Sequence, residues 1–505
     1  METPRMKTPL LLAASALALA MTSASASAQT SPASPLTEAR DWSAVLKQDA
    51  QVLHDVILDS HPGTVDPLNP AFRGRVEAGL VEANRRAALT TDASGWWWAM
   101  RAYVAAFDDG HVQISMQVPG GFPIRWPGFL TVFKGTDQVV ADRDASDAST
   151  PPLGARLIDC DDVPAAQLAQ ARIGEFRGRW FLQSQHDQFG DWMFLNASNP
   201  WQTEMRQCRF DIGGQTRTYG LNWRLADADD LNARRLKLAQ RAHNGFNITR
   251  QDDGGYWLSM PSFNASPDSE AYAGLTALLA AAANREAGLH AAPYVVLDLR
   301  GNGGGSSHWS QMLALTLWGE PWIRANLEQT VEAVEWRPSK DNIASLEAFR
   351  EEIRQGGGSA DMIQWADKAI SGMTQARAAG LAYWRDGDPV EEVEQTGAAP
   401  SNPNKGRIYV LTDSACASAC LDAVDLWKAV GAVQVGRETS ADTVYMEVRN
   451  AALPSGLAEI GVPMKVYRGR ARGNNEPQLP SHLFHGDMSD TAALAAWIRE
   501  LNSRS

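Results

Sequence analysis

The chain has 505 residues, 44% of them hydrophobic and 21% charged, with 41 Gly and 26 Pro. That balance excludes a disordered, collagen-like or coiled-coil chain and leaves room for two to four domains at roughly 150 residues each. The net charge of -13, from 46 basic and 59 acidic side chains, argues against a nucleic-acid partner, which needs a basic face.

Residues 1–28 read as a secretory signal peptide. Arg5 and Lys7 form a basic start, Pro9 to Met21 is an apolar run too short to span a bilayer, and Ala24-Ser25-Ala26 and Ala26-Ser27-Ala28 are small-x-small cleavage sites. A periplasmic or secreted protein without a membrane anchor is expected, in a compartment where disulfides persist. Residues 29–112 then read as a linker followed by a helical domain. Val45, Leu46, Val52, Leu53, Val56 and Ile57 recur at helical spacing over Asp41–Ser60, a second helix follows over Phe72–Ala88, and Ser94 is a plausible cap for a third that ends in Asp108-Asp109-Gly110-His111.

Residues 113–228 change character, with short β-rich runs (FLTVF, VVADR, RLIDC, QCRFDI) between Gly, Pro and Asp turns. From 229 to 505 strands alternate with helices, the pattern of an α/β domain. Tyr294–Leu299 and Arg407–Thr412 are apolar enough to be buried strands. Ser269–Ala287 reads as a helix with Gly288 as its C-cap, Ser306–Trp318 and Cys420–Val430 read as two more, and 340–400 reads as a helical excursion interrupted by Gly356-Gly357-Gly358.

Two loops carry the chemistry. Asp298-Leu299-Arg300-Gly301-Asn302-Gly303-Gly304-Gly305 leaves a buried strand and enters a helix, so its backbone N–H groups can face an anion or oxyanion. It lacks the Gly-Lys-Ser/Thr of a phosphate-binding loop. Ser414-Ala415-Cys416-Ala417-Ser418-Ala419-Cys420 also follows a buried strand and opens a helix, where a serine oxygen meets free N–H groups and the positive end of the helix dipole. Taken alone, a serine there is a helix cap. Neither Gly-x-Ser-x-Gly nor His-Glu-x-x-His occurs, so no zinc-peptidase site or other metal site is expected from the nine histidines, and no cofactor is called for.

The strand–DLRGNGGG turn followed much later by strand–SACASAC–helix resembles the tail-specific, or C-terminal processing, serine peptidase superfamily. The early Asp-Asp-Gly-His-Val and the stretch Gly154–Gln167, which looks like the strand–turn–helix of a PDZ-like module, fit the same family. The resemblance implies a crotonase-like (ClpP/crotonase) α/β catalytic domain behind an N-terminal helical domain and a small β-rich PDZ-like module. It implies Ser418 as nucleophile, with Gly304 and Ala419 supplying the oxyanion hole. The Lys that serves as base in one branch is missing after the nucleophile helix, the nearest being Lys428 and Lys465. The tricorn-core-like, His-using branch is closer, which makes His111 the base and Glu476, in Asn474-Asn475-Glu476-Pro477, the acid; Glu438 is the alternative acid. A serine hydroxyl needs such a base to become nucleophilic, and a carboxylate to orient the imidazole. The expected activity is that of an exported serine peptidase acting on peptides or proteins. A non-catalytic ligand-binding protein on the same fold is the alternative.

The four cysteines allow three pairings. Cys160 and Cys208 both fall in predicted strands of the β-rich module, and Cys416 and Cys420 flank Ser418 by two residues on each side, so a bridge within each pair is the arrangement to test, against free, buried thiols at either; the sequence leaves the connectivity open.

Overall fold

The structure, a computed structural model, describes residues 35–239, 245–266, 268–327, 333–356, 359–387 and 400–504. The expected signal peptide lies outside the described residues, as do parts of the 29–37 linker and of the 340–400 excursion.

Three helices open the described chain: Trp42–Ser60, Ala71–Ala87 and Ala93–Ala105. The first starts where the Asp41 carboxylate accepts the Ala44 N–H at 3.0 Å, the usual way to satisfy an orphan donor of the first turn. Leu46, Leu53 and Ile57 are fully buried along its inner stripe, each burial stabilising by about 1.5–3 kcal/mol. The third helix is capped two residues before the expected position, at Asp92. Asp92 has the extended backbone of a cap and accepts both the Gly95 N–H and the Ser94 hydroxyl, so Ser94 is drawn into the first turn.

These helices do not close a core by themselves. Leu453, Leu457, Ile460 and Val462, from the far end of the chain, share their apolar cluster. Immediately after the third helix the strand Ile114–Met116 pairs antiparallel with Ala458–Ile460 at the start of the strand Ala458–Arg468. The helical segment expected over 29–112 is thereby sewn to the far end of the chain, and the segment 108–113 between helix and strand is carried with it.

The β-rich module is an antiparallel sheet in the order Phe129–Lys134, Asp137–Arg143, Arg156–Cys160, Gln207–Ile212, Gln215–Gly220. Phe129, Phe194 and Phe210 pack at its centre. Cys160 and Cys208 face each other in neighbouring strands and are disulfide-bonded.

The α/β part is built on a sheet ordered Asn247–Arg250, Tyr256–Ser259, Tyr294–Asp298, Arg407–Thr412, Val433–Gly436, His482–Leu483. All pairs are parallel except the first. Helices Glu270–Ala283, His308–Asn326 and Ala419–Ala429 cover one face, and Thr491–Ser503 covers the other. Cover on both faces is why the two central strands read as unbroken apolar runs.

Two helices depart from the expected bounds. The one expected over Ser269–Ala287 ends at Ala283, and Gly288 sits inside a second short helix, Glu286–Ala291, instead of capping the first. The one expected over Ser306–Trp318 starts two residues later, at His308, and stops at Trp318 as expected: Gly319, with φ of 72° and ψ of 152°, breaks it, and a second helical stretch follows to Asn326 with Pro321 in its first turn, where the missing donor costs nothing. In the excursion, helices Lys340–Gln355 and Ala360–Ala378 are followed by the strand Trp384–Asp386, which joins the sheet of Ala333–Trp336 and Ala458–Arg468.

Candidate active site

Tyr294–Asp298 and Arg407–Thr412 are neighbouring parallel strands, so the two chemistry-bearing loops leave the same edge of the sheet side by side. This is the edge where open α/β sheets hold ligands. Asp413, the first residue after the second strand, ties the loops together. One of its oxygens accepts the Gly301 N–H and the other the Ala415 N–H, both at 3.0 Å. Burial raises its carboxyl to about 6, against the pull of those two N–H groups.

Ser418 sits at the turn into the helix Ala419–Ala429 with φ of 54° and ψ of -126°. A non-glycine residue with positive φ is strained, and such strain gathers at active sites. The turn is braced on both sides by the Cys416–Cys420 disulfide. The Gly-rich loop packs directly on it: a Cβ at Gly304 would lie 2.7 Å from the Ser418 Cβ and 2.6 Å from the Ala417 carbonyl.

His111 arrives from 307 positions away, with its Nε2 at 3.4 Å from the Ser418 Oγ. This is the outer limit of a hydrogen bond, the length often found before substrate tightens such a pair. Its Nδ1 is buried and makes no hydrogen bond among the described residues. The carboxylate beside it is Asp109, whose Oδ1 is 4.0 Å from Nδ1 and accepts the His111 backbone N–H at 2.8 Å. Asp109 is itself fixed. Its Oδ2 accepts from His61 Nε2 and from the Thr443 hydroxyl, each at 3.1 Å. The Gly63 N–H donates to His61 Nδ1 at 2.9 Å, which places the His61 proton on Nε2, facing Asp109. Burial alone would raise the Asp109 carboxyl, but the His61 bond, the nearby His111 and the backbone N–H together hold it below the usual carboxylate range.

The remaining expected residues lie as follows. Glu476 is on an exposed loop, its carboxylate accepting the Gly473 N–H at 2.8 Å. That loop clasps the histidine's: Asn475 Nδ2 donates to the Asp108 carbonyl at 2.7 Å. Glu438 is half-buried, its carboxyl raised by burial and by Asp187. Among the described residues neither glutamate hydrogen-bonds to His111. Ala419 follows Ser418 at the first turn of the helix. The Gly304 N–H donates to Asn302 Oδ1 at 2.9 Å. Gly303, one residue earlier, lines the cleft. Lys465 is buried against Trp336 and paired with Glu447 at 2.9 Å, which keeps it charged and unsuited to be a base. Asp109, His61 and Thr443 were not singled out from the sequence. The one signal for them was Asp109 two residues before the histidine, a pattern that equally describes a helix end.

Residues 255–474 match the model of peptidase family S41. The chain carries an S41 serine peptidase domain. The match takes in the Gly-rich loop and Ser418, whereas His111 and Glu476 fall outside it. A comparison with curated proteins finds no match. Among solved structures, this chain is similar to mature CPAF, with a TM-score of 0.57 and 11% identity over 91% of this chain and 96% of that one. It is similar also to mature CPAF complexed with lactacystin, with a TM-score of 0.56 and 11% identity over 91% of this chain and 98% of that one. At that identity the likeness is one of fold. No helix among the described residues is long and apolar enough to cross a membrane.

Proposed function

We propose that the protein is an exported peptidase that cleaves peptide bonds through an acyl-enzyme on Ser418. His111 Nε2 takes the Oγ proton as Oγ bonds to the scissile carbonyl carbon. The same proton passes to the leaving amine as the C–N bond breaks. A water then repeats the sequence in reverse, giving up a proton to His111 and releasing the acid. The Ala419 N–H and the Gly303–Gly304 turn are the donors for the oxyanion. Because the Gly304 N–H is taken up by Asn302, the Gly303 N–H, without a partner among the described residues, is the donor in this reading, and Gly304 supplies the clearance that lets the turn lie on Ser418. Asp109 stabilises the imidazolium from the Nδ1 side, with Glu476 as a weaker, solvent-exposed contributor. The reaction as written uses no metal or cofactor. A crotonase-like catalytic domain with a PDZ-like module over 113–228, and export directed by residues 1–28, complete the reading; the two disulfides support the last.

The observation that carries the proposal is the approach of His111 Nε2 to Ser418 Oγ across the fold. A ligand-binding relative that had lost catalysis would have no use for that pairing on a strained serine. The test is active-site labelling with a fluorophosphonate. Wild type labels at Ser418, Ser418→Ala loses labelling and hydrolysis, and His111→Ala lowers kcat far more than it changes KM. Lactacystin, complexed with mature CPAF in the similar structure, is expected to protect Ser418 from the label. Full turnover by Ser418→Ala would end the proposal.

A further inference from the structure

Ser418 and His111 open into a cleft of about 560 Å³, one wall of which carries three arginines, Arg101, Arg177 and Arg179. Carboxylates line the cleft as well, but each is already engaged. Asp108 faces Arg75 at 3.6 Å and accepts the Arg179 N–H at 3.0 Å. Asp109 holds His61 and Thr443, and Asp442 is paired with Arg470 and Arg472. Arg179 is spent on the Ala441 carbonyl and packs against Gly110, where a Cβ would lie 2.6 Å from its guanidinium.

The other two cations are left over. Arg177 is stacked against Phe189 at 4.7 Å and Trp192 at 4.5 Å, and makes no ion pair or hydrogen bond among the described residues. Arg101 rests on Trp97 at 5.6 Å and makes one long bond, 3.4 Å, to the Phe176 carbonyl. Burial lowers both guanidinium groups from their ordinary value, and the charges of Arg101 and Arg235 press further on Arg177; the one carboxylate that acts on it against this, Asp191, makes no ion pair or hydrogen bond with it among the described residues and is already paired with Arg235 at 2.5 Å. An enclosed cation without an anion is costly, and stacking on aromatic rings holds a guanidinium plane rigid without using its N–H donors. Those donors match a carboxylate in pairs.

We propose that Arg101 and Arg177 form a carboxylate-binding subsite beside Ser418, so that the preferred substrates are peptides carrying an acidic group close to the scissile bond. This rests on the peptidase reading above and adds the substrate class to it. The carboxylate comes from an Asp or Glu side chain or from a chain terminus, and the test separates the two.

Binding is measured by fluorescence anisotropy on the uncleaving Ser418→Ala protein, with labelled peptides differing only in Glu against Gln at each position and in a free against an amidated C terminus. Expected is at least about tenfold tighter binding of one Glu peptide than its Gln partner, the size of a charge-assisted pair. If instead amidation alone costs that factor, the subsite stands with the terminal carboxylate as its ligand. Arg177→Met and Arg101→Met, each introduced into the same protein with its melting temperature checked, should erase the ratio, and Arg177→Lys should recover only part of it. Equal affinity for charged and neutral peptides, or a ratio that survives both Met substitutions, overturns the subsite. Failure of Ser418 to label in the wild-type protein would overturn the peptidase reading separately.

Discussion

Asp109→Asn isolates what the buried carboxylate does for the base. The Asn is isosteric and keeps one oxygen for the His61 and Thr443 donors, so the change is the loss of a charge 4.0 Å from His111 Nδ1, together with the bond that Oδ1 accepts from the His111 backbone N–H. With an effective dielectric near 20, a unit charge pair at that distance is worth about 4 kcal/mol. The imidazolium exists only while Ser418 is losing its proton, so the whole term falls on the transition state, and a factor of about 10³ is expected. The rate constant of fluorophosphonate labelling reads this without a known substrate, since it follows the nucleophilicity of Ser418. Glu476→Gln should cost less than about tenfold, because an exposed carboxylate is screened. Thr443→Val, which removes one bond to Asp109 and no charge, should fall between wild type and Asp109→Asn, and guards against an Asn variant that misfolds. Wild-type labelling by a folded Asp109→Asn protein, or a larger loss in Glu476→Gln, would refute the reasoning and return the acid's role to the glutamate.

Ser418→Gly should be more stable than Ser418→Ala by about 1–2 kcal/mol, because glycine alone adopts the φ of 54° at no cost; equal denaturation midpoints would contradict the strain. Asp413, raised to about 6 in the fold against about 3.9 in an unfolded chain, takes up protons more readily when folded. Its contribution to stability is therefore greatest at low pH and is lost as pH rises from about 4 through 6, on the order of 3 kcal/mol. Asp413→Asn should flatten the stability profile in that window, as measured by denaturant unfolding at fixed pH values. Replacing both Cys160 and Cys208 by Ala should destabilise by about 4 kcal/mol on chain entropy alone for a span of 48 positions. The same change at Cys416 and Cys420, four positions apart, should remove only about 2 kcal/mol by that reckoning, yet slow labelling of Ser418 more than the first pair does.

What was legible in the sequence is what is local. A buried strand running into Asp298-Leu299-Arg300-Gly301, or into Ser414 and the helix behind it, is encoded within some fifteen residues, and the structure holds both turns where the pattern puts them. His111 could be reached only through resemblance. Its place depends on Ile114–Met116 pairing with Ala458–Ile460, a contact that no periodicity announces. Asp109 read as the polar end of a helix because its partners, His61 and Thr443, are remote in sequence. Arg101 and Arg177 were invisible for a different reason: an arginine's meaning lies in whether an acid faces it, and spacing says nothing of that. The misplaced boundaries at Ser94 and Gly288 have local causes, a better cap two residues earlier in one case and a restart of the helix in the other.

The pairing of Ile114–Met116 also explains how a histidine that follows a helical segment can be held 3.4 Å from a serine on a different unit. The strand Ala458–Arg468 is the shared member. It contributes Ile460 and Val462 to the core of the N-terminal helices and pairs along its length with Tyr445–Ala452, whose approach carries Thr443. At Gly461 the two backbones nearly touch. The Gly461 N–H donates to the Gln113 carbonyl at 2.8 Å, and a Cβ there would lie 3.0 Å from the His111 carbonyl and 3.0 Å from Val448. A side chain at 461 is tight on both sides, so the His111 backbone or Val448 would have to give by a few tenths of an ångström, enough to disturb a contact to Ser418 already at 3.4 Å. Proton transfer falls steeply with such displacement. The Ser418–His111 pair is thus a property of the closed fold. Neither the helical segment nor the α/β sheet holds both members, and the strand that joins them does so by leaving one position empty of side chain.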